Sequence, residues 1–225
     1  MTELFQRLSR FWQTDRGLTA FTVALIIVGF GTHPLQRLGF GGKVLLSVFL
    51  SLLVISGIVA VARRSSTTII VAVLAVVTVV LEWLNFASAS RPVEMVSLLS
   101  KALVFSVLTV IVLWQVFREG PITLHRIIGA VAVYTLTGIV FGQIYTFLEV
   151  ASPGAFHDAQ TGVIVSGELL YFRFVTLTTV GYGEITPVLP FARSLALLEG
   201  LVGQLFPAIL IARLVAMELA SSRKA

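Results

Sequence analysis

Leu169-Leu170-Tyr171-Phe172-Arg173-Phe174-Val175-Thr176-Leu177 runs directly into Thr178-Thr179-Val180-Gly181-Tyr182-Gly183. The first part is apolar but short, about ten residues against the roughly twenty that cross a bilayer as a helix. A glycine-rich segment then cuts it off. Such a run reads as a re-entrant element, one that enters the membrane and turns back. The second part alternates glycine with bulkier residues. Successive carbonyls can face one side of a strand only if ordinary and left-handed dihedrals alternate. Side chains with a Cβ resist the left-handed half, whereas glycine takes it freely. Carbonyl oxygens stacked on one side can replace the water shell of a dehydrated cation. Thr179 adds a hydroxyl at the inner end of that stack, and Val180 and Tyr182 can brace it from behind.

The rest of the chain places this segment in lipid. Of 225 residues, 57% are hydrophobic and 12% charged, against roughly 25% charged in an ordinary soluble protein. Mean hydropathy is +0.99. Sixteen bases and eleven acids are too few to cover a soluble fold of this size. Outside the re-entrant stretch, six apolar runs are predicted to span: Leu18–Pro34, Val44–Ala62, Thr67–Phe86, Met95–Phe117, Ile127–Glu149 and Phe191–Met217. The expected fold is an all-α membrane protein with six transmembrane helices and a re-entrant pore helix and filter loop between the fifth and sixth. Residues 1–17 form an expected interfacial helix, with Leu4, Phe5, Leu8, Phe11 and Trp12 at helical spacing around Arg7 and Arg10. An ordinary solvated helix is the other reading. Residues 18–120 form a four-helix domain and residues 121–225 a pore domain.

Lysines and arginines sort by side. Nine (Arg7, Arg10, Arg16, Arg63, Arg64, Arg118, Arg126, Arg223, Lys224) fall on one set of loops and four (Arg37, Lys43, Arg91, Arg193) on the other. The excess marks the cytoplasmic face, so both termini are expected inside a cell (inner) membrane and the 150–190 segment outside. A net charge of +5 without any basic run longer than two residues gives no nucleic-acid footprint.

Chemistry of other kinds finds little support. Cysteine is absent, and three histidines (His33, His125, His157) lie in separate loops without metal-ligand spacing. There is no nucleophile elbow and no phosphate loop, so no enzyme and no cofactor is expected.

Thr176-Leu177-Thr178-Thr179-Val180-Gly181-Tyr182-Gly183 resembles the signature of tetrameric potassium channels, and Thr179–Gly183 match its central motif in full. The resemblance covers the last hundred residues. The first half resembles the family only in providing four preceding crossings. It implies a six-transmembrane, one-pore, bacterial-type channel that conducts K+ passively, with Thr179, Val180, Gly181 and Tyr182 supplying ion-binding carbonyls and Gly183 closing the motif. Thr178 and Glu184 are the implied filter supports. Glu184 stands where many members have aspartate, so a bond behind the filter would be rearranged. Tyr171-Phe172 replaces a tryptophan pair common in voltage-gated relatives. One filter strand gives one oxygen per layer, so a homotetramer in the lipid bilayer is expected. The alternatives are a non-conducting or regulatory subunit assembling with other pore chains, or a weakly selective cation channel. A potassium-uptake transporter fits less well, because such proteins carry several degenerate filters.

Gating is expected in the last helix. Gly203 lies twenty positions after Gly183, and Pro207 removes the donor for the Gly203 carbonyl. A bend at 203–207 follows, with the row Gly203, Pro207, Ile211 and Val215 expected along the conduction path and Gln204 as a polar neighbour. Ile211 and Val215 are candidates for an apolar constriction. The other reading has Gly200 and Gly203 serving close helix packing. Four acids, Glu149, Asp158, Glu168 and Glu184, either form cation-concentrating rings at the outer mouth or belong to solvated loops. The fourth run carries Lys101 and no arginine, so steep voltage gating is not expected. Lys101 either pairs with Glu82 or anchors at a headgroup, the anchor being the commoner arrangement. Arg173 either pairs with an outer acid or snorkels to headgroups. The gating stimulus is not legible.

Overall fold

In a computed structural model, residues 19, 21–27, 29, 47–48, 51, 66–88, 90–117, 124–162, 164 and 168–222 are described. The expected N-terminal helix and the Arg63-Arg64 connection lie outside these residues, as do most of the first two apolar runs. Five longer helices follow in order: α1 Ser66–Ser88, α2 Arg91–Phe117, α3 Leu124–Ala151, α4 Glu168–Leu177 and α5 Pro190–Ser222. Two short strands flank the filter segment, β1 Phe156–Asp158 and β2 Ile185–Pro187.

Four described helices, all but α4, are long and apolar enough to cross a membrane. The chain is a multi-pass membrane protein, mostly helical. At about 1.5 Å per residue, the ten residues of α4 reach about 15 Å, half of a hydrocarbon core. α2 packs against α1 and α3, and α3 in turn against α4 and α5. One core, including Phe105, Leu108, Val133 and Leu136, lies between these helices. A second, including Tyr145, Phe156, Leu169 and Phe172, sits where α3 meets α4 and β1.

Helix ends depart from the hydropathy reading where polar groups extend them. α2 begins at Arg91, four residues before the apolar run, with Pro92 in its first turn and Glu94 bonding back to the Ser90 carbonyl at 3.0 Å. Arg91 therefore belongs to α2, and its guanidinium holds the end of α3. Its Nε reaches the Val150 carbonyl at 2.8 Å and its Nη2 the Ala151 carbonyl at 3.1 Å. These are the carbonyls that a helix leaves open at its last turn.

The turn-rich segment after α3 is more regular than expected. β1 and β2 pair antiparallel, Phe156 with Pro187, His157 with Thr186 and Asp158 with Ile185. Ala159 N–H adds a bond to the Glu184 carbonyl at 2.8 Å. The chain leaving the filter is thus stitched to the chain leaving α3.

Within the four-helix part, Lys101 is paired. Its Nζ lies 2.7 Å from Glu82 Oε2, and Ser97 and Ser47 each donate to the same carboxylate at 3.1 Å. The headgroup-anchor reading of Lys101 is corrected accordingly. A partly buried acid on α1 that two serines already hydrogen-bond is a better site for an ammonium than a lone position.

Candidate functional site

α4 lies on α3 because α3 offers backbone in place of side chains. Gly138 and Gly142 stand one turn apart. A Cβ on Gly138 would meet Phe174 at 2.9 Å and Leu177 at 3.1 Å, and one on Gly142 would meet Arg173 Cδ at 2.4 Å. Gly138-x-x-x-Gly142 is a small-residue pattern that brings helices together in membranes. It was available in the sequence. The contact aims the end of α4 and fixes where the following strand starts.

α4 ends at Leu177, whose carbonyl accepts the Tyr134 hydroxyl of α3 at 3.0 Å. Thr178 closes the helix twice, its N–H bonding the Phe174 carbonyl at 2.9 Å and its hydroxyl the same oxygen at 2.6 Å. Thr179 N–H then bonds the Thr176 carbonyl at 2.9 Å. Val180 N–H and Gly181 N–H both turn back to the Val175 carbonyl, at 3.0 and 3.3 Å.

The backbone alternates as the segment requires. φ is +59° at Thr179, +58° at Gly181 and +82° at Gly183, with no positive value at Val180 or Tyr182. Glycine predicts two of these positions. Thr179 is the third, and among the described residues it alone has positive φ without being glycine. A threonine there holds a conformation costing about 1–3 kcal/mol, sustained by the three N–H bonds just named. Among the described residues, none of the carbonyls from Thr179 to Gly183 accepts a hydrogen bond. Five consecutive acceptors therefore stand open on an exposed strand, with Val180 and Tyr182 52% and 69% exposed.

Tyr171 hydrogen-bonds the Glu184 side chain, and a cavity of about 100 Å³ separates the strand from α4, bounded by Tyr171, Val175 and Tyr182 among others. Phe172 faces inward instead. It makes edge-on contacts with Tyr145 and Phe156, at centroid distances of 5.3 and 5.5 Å.

Two of the other three acids, Glu149 and Asp158, have local tasks. Glu149 accepts Gly154 N–H at 2.8 Å and Phe156 N–H at 3.1 Å. Asp158 accepts Gln160 and Thr161 N–H, both at 2.7 Å. The Thr161 bond first and then the Gln160 bond hold its carboxyl below the usual 3.8.

Arg173 and Gly203 stand elsewhere than the sequence suggests. Arg173 is 2% exposed and reaches neither headgroups nor an outer acid; the acid whose charge it feels is Glu199 of α5. Glu199 was missed, although a lone acid inside an apolar run is itself a signal. Gly203 is buried against the end of α4, where a Cβ would stand 1.8 Å from the Leu177 carbonyl oxygen. Gly203 thus packs closely on α4, whereas Gly200 has nothing within 4 Å. An i+4 row also drifts, by about 40° per step. Pro207 lies within α5, while Ile211 and Val215 are exposed and turned progressively away from the face holding Gly203.

Comparison with known proteins agrees on this region. Residues 133–219 match the ion channel family model. Protein LctB of Bacillus caldotenax is 32% identical over 80 residues, 33% of this chain and 59% of the relative. The inward rectifier potassium channel Kirbac3.1 of Paramagnetospirillum magnetotacticum is 33% identical over 89 residues, 38% of this chain and 26% of its own length. Two pore potassium channel c of Oryza sativa subsp. japonica is 34% identical over 94 residues, 42% and 19% respectively. The chain spans 59% of the length of the LctB relatives it matches, and less of the others. No solved structure matches it.

Proposed function

We propose that this chain is a subunit of a potassium-selective channel that conducts K+ passively as a homotetramer and is not steeply voltage-gated. The observation that carries the reading is the open carbonyl row of Thr179–Gly183, held by alternating φ at the end of a half-membrane helix. Backbone oxygens at K+-channel filters replace the ion's water shell, and a backbone with its N–H groups tied behind it leaves the oxygens free for that task. K+ would bind at Thr179, Val180, Gly181 and Tyr182. Four copies around one axis give four oxygens per layer, which one strand cannot supply. The resemblance of residues 133–219 to ion channels and the similarity to two potassium channels support potassium as the ion.

The inner helix supports assembly as well. α5 leaves Leu197, Leu201, Leu205, Ile209 and Ile211 exposed, a surface for neighbouring copies and lipid alike. Ile211 and Val215 remain the proposed apolar constriction. An inner membrane with both termini cytoplasmic completes the proposal.

Flux from proteoliposomes loaded with potassium or with sodium tests it, with barium as blocker. Potassium efflux well above sodium efflux and blocked by barium is expected. Equal efflux of both ions refutes selectivity, and efflux of neither refutes conduction by this chain alone.

A further inference from the structure

Behind the filter lies a polar group of residues that carbonyl conduction does not use. Arg173 of α4 and Glu199 of α5 are both almost wholly buried, the glutamate at 0% exposure. Charges taken out of water are retained in folds when they are paired and hydrogen-bonded. Here the arrangement is specific. The Arg173 guanidinium stands over the Phe174 ring, 4.7 Å from its centroid, in the space left by Gly142. Glu199 Oε2 accepts the Tyr145 hydroxyl at 2.6 Å. The ion pair with N···O within 4.0 Å among the described residues is Lys101–Glu82, so Arg173 and Glu199 are not in direct contact. Arg173 Nε and Glu199 Oε1 are each left without a hydrogen-bond partner. One is a donor and the other an acceptor, the two ends that a bridged pair requires.

The position of the pair matters more than its burial. Leu177 comes one turn after Arg173 on α4, and Gly203 one turn after Glu199 on α5. Leu177 and Gly203 are themselves in backbone contact. α4 and α5 are in backbone contact at one level, and Arg173 and Glu199 each stand one turn before that contact on their own helix. Two residues beyond Arg173, the Val175 carbonyl holds the N–H groups of Val180 and Gly181. Any slide of α4 along α5 moves the filter strand with it.

We propose that Arg173 and Glu199, with Tyr145 orienting the carboxylate, are positioning residues that lock the pore helix to the inner helix and thereby set the filter's selectivity. The inference rests on the conduction reading above. A movement of α5 then reaches the filter through this pair.

The full chain in proteoliposomes tests it, wild type beside Arg173→Gln, Glu199→Gln and the double variant. Each single substitution leaves one buried charge unpaired, and the double leaves none. Each single is expected to lower the potassium-to-sodium flux ratio by about tenfold or more, the change that about 1.4 kcal/mol produces. The double returns to within about threefold of wild type, less than half of that free-energy difference. Tyr145→Phe, which keeps the ring against Phe156 and Phe172, lowers the ratio by a smaller factor. A merely structural role would reduce the amount of folded protein and leave the ion ratio unchanged. Singles with the wild-type ratio, or a double no better than the worse single, overturn the proposal. Thermal unfolding of the same four proteins in detergent needs no conduction, and the double must there exceed both singles. A wild type that passes neither ion refutes the conduction reading, while the unfolding cycle still decides the pairing.

Discussion

Gly203→Ala puts a methyl carbon where the structure has none to spare. The new Cβ would stand 1.8 Å from the Leu177 carbonyl oxygen, 2.8 Å from its carbon and 3.2 Å from its Cα. Non-bonded carbon contacts settle at about 3.5 Å, so α5 and the end of α4 must part by about 1.7 Å. The obstacle is backbone, which cannot rotate aside as a side chain would. The same oxygen accepts the Tyr134 hydroxyl, a bond that the displacement breaks. Overpacking costs about 1–3 kcal/mol and the lost hydrogen bond about 1 more, together about 2–4 kcal/mol. For a chain of this size that lowers the unfolding midpoint by roughly 5–15 °C. Function should suffer further, because Thr179 lies two residues on and a preorganised site tolerates only about 0.5 Å of error. The assay is thermal unfolding in detergent alongside potassium and sodium flux. Gly200→Ala, on the same helix with nothing within 4 Å, is the control and should stay within about 0.5 kcal/mol of wild type. Gly203→Ala with unchanged midpoint and unchanged ion ratio refutes the packing argument. Altered open probability at unchanged stability would restore Gly203 as a hinge.

Three further outcomes follow from the same contacts. Lys101→Met leaves the partly buried Glu82 carboxylate with only Ser47 and Ser97 as donors, destabilising by about 1–3 kcal/mol; adding Glu82→Gln should restore most of the loss in thermal unfolding. Gly181→Ala meets no atom within 4 Å, so only its φ of +58° opposes it, at about 1–2 kcal/mol; stability should fall modestly while the potassium-to-sodium ratio collapses. Asp158 has a carboxyl held below its usual 3.8 by the Thr161 and Gln160 N–H bonds. Its contribution is therefore present in full above about 3.8 and lost as pH falls through the lower folded value. Hydrogen exchange at Gln160 and Thr161 should accelerate across that acid window, and Asp158→Asn should remove the pH dependence.

Much of the fold is carried by local patterns that a sequence displays. The run Thr67–Phe86 becomes α1 Ser66–Ser88 with little change, because length and hydropathy alone decide a crossing helix. Its neighbour α2 starts earlier because Arg91 finds carbonyls on α3, a partner 59 residues away. The filter divides in the same manner. Gly181 and Gly183 announce their dihedrals by lacking a Cβ, whereas Thr179 adopts φ +59° against its own preference. Hydrogen bonds to Thr176 and Val175 impose it, and those depend on where α4 stops. Arg173 and Glu199 were each legible as lone charges in apolar surroundings, and Gly138 and Gly142 as a spaced pair. Which charge answers which is a matter of packing, and no periodicity within either helix contains it.

The scarcity of charge in this chain explains why its acids cannot be read by position alone. Among the described residues, Lys101 is paired with Glu82 on the adjoining helix, and Arg173 and Glu199 are buried on two other adjoining helices. Glu149 and Asp158 spend their oxygens on backbone N–H groups in the turns around β1, so much of their field is answered by those dipoles. Of the four acids expected at the outer mouth, Glu184 is exposed directly after Gly183 and is bonded by Tyr171. Arg193 opposes it, with its Nε on the Pro187 carbonyl, three residues beyond Glu184. Selectivity, on this account, falls to the uncharged oxygens of Thr179–Gly183, and the surrounding charges serve to hold those oxygens still.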